Sequence, residues 1–76
     1  MKNKKIFSLI SKAINVDVKK LNINSVNKDF DQWDSLGQLK ILFSLQKKYS
    51  NIKNEDFEKI ISIKSILKLT EKNKAD

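Results

Sequence analysis

Apolar side chains recur at Ile6, Phe7, Leu9, Ile10, Ala13 and Ile14, while Lys4, Lys5 and Lys12 fall on the opposite side, so the spacing predicts an amphipathic helix over 4–14. The stretch "NVDVKKLNINSVNKDFDQW" that follows has scattered apolar residues, many Asn and no sustained period. It reads as a long loop with one short helical turn, and a connection of that length in so short a chain is usually functional. The period returns at Leu36, Leu39, Leu42, Phe43, Leu45 and Tyr49, which predicts the longest helix, over 35–49, as the spine of the core. "YSNIKN" interrupts it, and "EDFEKII" forms a short third helix over 55–61 with Glu55 and Asp56 in the first turn, where the helix dipole favours acids. Ile63, Ile66, Leu67 and Thr70 mark a fourth helix over 64–72 that frays into "EKNKAD". With no Pro, a single Gly and no alternating strand pattern, the expected class is an all-α four-helix bundle in one domain spanning 1–76.

Composition narrows what such a bundle can do. A chain of 76 residues has material for one small core. It contains no Cys and no His, so thiolate metal sites, disulfides, the commonest metal ligand and the usual general base are all missing. Eight serines without a His or Cys partner supply no activated nucleophile, and the chain is expected not to be an enzyme. The formal charge of +7 invites a nucleic-acid or membrane-surface reading. Every basic residue is Lys, however, and Arg, the residue suited to bidentate guanine and phosphate recognition, is absent. Lys, Asn and Ile make up a large share of the chain, so part of the basicity reflects overall composition, and no specific nucleic-acid binding is expected. The apolar patch "IFSLI" is too short for a signal-peptide core, no stretch has the length of a membrane span, and the cytoplasm is the expected compartment.

The segment "DQWDSLGQLKI", residues 31–41, carries the sharpest signal. "SLGQ" fits an S-x-x-Q capping box, in which Ser35 accepts the Gln38 amide and Gln38 reaches back to the Ser35 amide. Asp34 is equally placed to cap, with Ser35 then in the first turn. A hydroxyl at that end also suits covalent attachment of a phosphodiester, because free amides and a partial positive charge favour an anion there. Gly37 costs about 1 kcal/mol against Ala inside a helix, yet the turns of the chain receive no glycine. It either leaves bare backbone for a bulky group or partner to approach Ser35, or is a tolerated first-turn residue.

The order of helix, long loop, D-S-L at the start of a second helix, short third helix and fourth helix resembles the acyl carrier proteins, within the wider group of phosphopantetheine-attachment carriers. The resemblance covers nearly the whole chain and is strongest at "DSLGQLKILFSLQKKY", continuing through "NEDFEKIISIKSILK". It implies an acyl-carrier-like bundle in which Ser35 bears a 4′-phosphopantetheine arm installed from coenzyme A by a Mg²⁺-dependent phosphopantetheinyl transferase. Asp34 then assists the transferase, Leu36 packs on it or on partner enzymes, and Gly37, Lys40, Lys47 and Lys48 complete the recognition surface. The arm's thiol holds an acyl or aminoacyl thioester, and the partners are acyl-loading and acyl-accepting enzymes visited in turn by a monomer. A cargo cavity is implied between the second and third helices, bordered by Leu39, Leu42, Ile52, Phe57, Ile60 and Ile61. No catalytic or metal-binding residue is implied in the chain itself.

Two features depart from that family. Its fatty-acid members are strongly acidic on the second helix, whereas this chain has Lys40, Lys47 and Lys48 there. Charge reversal at an interface changes both on-rate and partner choice. A carrier dedicated to a surface sugar, a lipid modification or a specialised metabolite therefore fits better than the general fatty-acid carrier, and "WDSLG" agrees with that; Trp33 serves equally as a lid over the helix junction. Phe57 replaces a small residue beside the cavity, which favours short or polar cargo, or else makes Phe57 plain core. The competing classes are a basic binding module for nucleic acid or anionic membrane, acting through Lys2, Lys4, Lys5, Lys12, Lys19 and Lys20, and a carrier-like scaffold that is never modified.

Overall fold

A computed structural model of the chain describes residues 2–74, with side chains over 4–71. The described residues are mostly helical and form no strand; the one β-type pairing is an isolated antiparallel bridge between Val26 and Ser62. Three α-helices, α1 (Lys2–Ile14), α2 (Ser35–Lys48) and α3 (Ile63–Lys74), carry the architecture. The short third helix expected over 55–61 is a 3₁₀ segment, Asn54–Lys59, and the last helix starts one residue earlier and runs two residues further than the apolar spacing predicts.

Helix α1 buries Ile6, Ile10 and Ile14, spaced four apart on one face. It ends on Asn15, whose φ of 59° places it in the left-handed region, and the Val16 amide then reaches back to the Ser11 carbonyl at 3.1 Å. That is the Schellman pattern, in which Gly is the usual residue and Asn the common substitute. The chain's only glycine is therefore not needed at this turn.

The connection over 15–34 is better ordered than a loop with one helical turn. It holds two 3₁₀ turns, Val18–Lys20 capped by Asp17, and Asn27–Asp29, in which the Asp29 carboxylate accepts the Val26 amide. Between them Leu21 is buried and Ser25 is 3 % exposed, its hydroxyl accepting the Asn22 amide. Backbone bonds from Asn27 to the Ile61 carbonyl and from Ile63 to the Ser25 carbonyl pin this segment across the start of α3. The length of the connection is spent on crossing the bundle, since the ends it joins are adjacent: Ile14 at the end of α1 lies against Gly37 at the start of α2. Lys4 and Lys5 share a groove with Lys47 and Lys48, so α1 and α2 run antiparallel.

On α2 the inward positions are Gly37, Gln38, Ile41, Leu42 and Leu45. The predicted spine included Leu36 and Phe43, which are 60 % and 50 % exposed, and omitted Ile41, which is fully buried. Apolar residues cover most of this helix, so its local period does not single out one face. Helix α3 is capped by Ser62, whose hydroxyl accepts the Ser65 amide, and it buries Ile63, Ile66, Leu69 and Thr70. Trp33, Ile52 and Ile60 close the core. No helix among the described residues is long and apolar enough to cross a membrane.

Candidate functional site

At the start of α2, Asp34 takes the capping role. Its Oδ1 accepts the Gly37 amide at 2.9 Å, and its carbonyl accepts the Gln38 amide at 2.8 Å. The S-x-x-Q box is thus not formed: the amide that Ser35 would accept goes to Asp34, and the Gln38 side chain points elsewhere, donating to the Phe57 carbonyl at 2.6 Å. Aspartate wins because its side chain spans from the residue before the helix to the third amide and adds a negative charge where the dipole favours one. Ser35 is left as the first helical residue, exposed and not used as a cap.

Gly37 answers an internal demand and clears no approach for a partner. A Cβ at this position would overlap the Gln32 carbonyl oxygen and come within 3.1 Å of Ile14 Cγ2. The segment leading into Ser35 is therefore folded back over the first turn of α2, and the missing side chain lets it lie there. Gly37 is buried, so it is withdrawn from the recognition surface. Gly37→Ala is expected to destabilise the protein by about 2 kcal/mol, since overpacking against backbone costs about 3 and the helix-propensity gain returns about 1. Chemical denaturation checks it; a neutral or stabilising result would mean the Gln32 backbone moves freely.

The other residues expected to serve recognition are accessible. Leu36, Lys40, Phe43 and Lys47 are exposed at spacings of four, three and four, which makes one stripe on the side of α2 facing away from the core. Lys48, also exposed, lies beside it. Phe43 was read as core and belongs instead to this outward stripe. The acids Asp29, Asp31 and Asp34 lead into Ser35, and Glu55, Asp56 and Glu58 sit on the 3₁₀ segment that Gln38 ties to the same end. The Ser35 end is thus acidic, and the lysines of the stripe lie further along α2.

The residues expected to border a cargo cavity divide. Leu42, Ile52 and Ile60 are buried in the main core, while Leu39 and Phe57 are partly buried against it. Ile61 is 45 % exposed and leaves the set: it stands in the turn between two fully buried neighbours, Ile60 and Ile63, and contributes its carbonyl to Asn27. Phe57 is anchored by its backbone to Gln38. Trp33 is 2 % exposed, lies over the junction with its Nε1 donating to the Ile60 carbonyl at 3.2 Å, and stacks on Phe30 at 6.5 Å between ring centres. It is the lid. Of the lysines in the basic-module reading, Lys4, Lys5, Lys12, Lys19 and Lys20 are exposed; the side chain of Lys2 lies outside those described.

No protein-family model, curated protein or solved structure matches the chain. The functional reading therefore rests on the residues themselves. Gln38, read from the sequence as one half of a capping box, is the site residue whose role the spacing misassigned; its partner is nineteen positions away.

Proposed function

We propose that this protein is a free-standing carrier of the acyl-carrier type, with Ser35 as the attachment point of a 4′-phosphopantetheine arm. The observation that carries the reading is the division of labour at the start of α2: Asp34 holds the cap, so the neighbouring Ser35 hydroxyl is exposed and has no structural duty. The residues present fit the group. The amides of Ser35 and Leu36 are first-turn donors without intrahelical partners, and a phosphodiester on Ser35 Oγ benefits from them and from the helix dipole. When bound, the arm supplies a terminal thiol that carries an acyl or aminoacyl group as a thioester.

The chain's own contribution is presentation. Asp34 uses one carboxylate oxygen for the cap, and its carboxylate would assist a phosphopantetheinyl transferase at that enzyme's metal-bound coenzyme A. Leu36 gives that enzyme an apolar contact beside the serine, and Phe43, Lys40 and Lys47 extend the contact along α2 toward loading and accepting enzymes. Tethering the cargo turns each later encounter into one at high effective concentration. Because this stripe mixes lysine with exposed apolar groups, its partners carry acidic or apolar faces, which points to a dedicated pathway ahead of general fatty-acid synthesis. The chain itself makes no bonds in the cargo, and it works as a cytoplasmic monomer.

The test is intact mass after incubation with coenzyme A, Mg²⁺ and a broad-specificity or cognate phosphopantetheinyl transferase. A gain of one phosphopantetheine is expected, and no gain with either transferase would overturn the reading.

A further inference from the structure

A second binding feature lies away from Ser35. Where the start of α1 runs beside the end of α2, the two helices and the turn at Val18 enclose a groove of about 660 Å³. Lys4, Lys5 and Lys12 border it from α1, and Lys47 and Lys48 from α2. Leu9, half-buried, and Val18, 43 % exposed, provide its apolar surface, and no acidic residue lines it. Along α2 it begins at Ser44, about 14 Å from Ser35, nine residues at the helical rise.

This grouping concentrates positive charge on one face of the α1–α2 pair. Five lysines line one concavity, and the one ion pair among the described residues, Lys59 with Asp56, belongs to the 3₁₀ segment at the other end. The C-terminal dipole of α2 favours Lys47 and Lys48, but Lys4 and Lys5 stand in the first turn of α1, where the dipole opposes them. Five of the chain's 16 lysines line this one groove, and no acidic residue does. An anionic occupant complements this charge.

The shape and the surface select among anions. A bilayer takes up a broad apolar face, while this groove offers only Leu9 and Val18, with lysines from both helices around them. Single-stranded nucleic acid needs aromatic platforms for its bases, and this groove has no aromatic residue and no Arg. Carboxylates on both sides of an aliphatic stripe match lysines on both sides of an aliphatic surface, in the helix-in-groove mode of recognition. We infer that the α1–α2 groove is a docking site for an acidic amphipathic segment of a partner protein. The inference goes beyond the carrier reading and does not depend on modification of Ser35.

The probe is a labelled helical peptide of about four turns with a Leu/Phe stripe flanked by Glu on both sides, followed by fluorescence anisotropy on the unmodified full chain. Binding is expected, and it weakens as salt is raised from about 0.05 to about 0.3 M, because screening between exposed charges strengthens with ionic strength. Lys5→Glu with Lys48→Glu is expected to weaken it about tenfold or more, and Val18→Ser about threefold. All three positions are exposed, and circular dichroism verifies that the fold is kept. A peptide with Ser in place of the stripe binds more weakly than the parent. Equal binding by the charge-reversed protein would overturn the inference, as would tighter binding of phosphatidylglycerol-containing vesicles or of a single-stranded oligonucleotide. Since no arm is present in the assay, failure here leaves the mass-gain result untouched, and the reverse holds too.

Discussion

Ser35→Ala is expected to abolish the mass gain from coenzyme A and to leave the stability of the fold within about 0.5 kcal/mol of the native protein. Both halves follow from the position of the serine. It is the first residue of α2, exposed, and the two amides a capping group would take are already bonded to Asp34. Alanine is also the better helix former, so nothing structural is lost. The contrasting variant is Asp34→Ala. It strips the Gly37 amide of its acceptor and is expected to cost about 1 kcal/mol, or a fall of about 5 °C in melting temperature for a domain of this size. Intact mass and thermal unfolding of the two variants side by side check the assignment. If Ser35→Ala lost the stability instead, the serine would be the cap; if it still gained the arm, another of the serines would be the attachment point.

Trp33→Ala is expected to remove about 4 kcal/mol, the largest stability effect of any single truncation proposed here. The indole is 2 % exposed, and it joins the end of the long connection to the turn before α3 through the bond from Nε1 to the Ile60 carbonyl. Truncation opens a cavity against Phe30 and the core, and strands a carbonyl in a chain segment whose side chain is fully buried. A domain of this length has a total stability of roughly 5 kcal/mol, so the variant is expected to keep only about 1 kcal/mol of it and to unfold at much lower urea than the native protein. Urea titration followed by circular dichroism measures it. Trp33→Phe keeps most of the apolar volume but drops the N–H donor, and its expected cost is about 1–2 kcal/mol. A native melting temperature for Trp33→Ala would show that the indole does not hold the junction. The Trp33 fluorescence of the native chain gives an independent probe, since it is the only tryptophan.

Which parts of the architecture can be read along the chain follows from how sharply each segment separates polar from apolar. In α1, lysines oppose Ile6, Ile10 and Ile14, and the helix and its inward face are both legible. In α2 the helix is legible and its face is not. Leu36, Leu39, Ile41, Leu42, Phe43 and Leu45 wrap around most of the circumference, so only packing against α1 and the 3₁₀ segment selects Ile41 and rejects Phe43. The same lack of contrast makes Ile61 look like core, when the turn geometry between Ile60 and Ile63 sends it outward.

The candidate site divides along the same line. Sequence alone determined that a helix starts at Ser35 with an acid before it, that the chain has no thiol or imidazole of its own, and that the described architecture is helical, because capping chemistry, composition and hydrophobic period act over a few residues. Tertiary structure decided that Asp34 caps in place of Ser35, that Gln38 serves the Phe57 carbonyl, that Gly37 makes room for the Gln32 backbone, and that five lysines from two helices share one groove. Each of those depends on groups far apart in the chain or on competition between neighbouring donors and acceptors. Spacing limits what such groups can reach; the folded packing settles which contact is made.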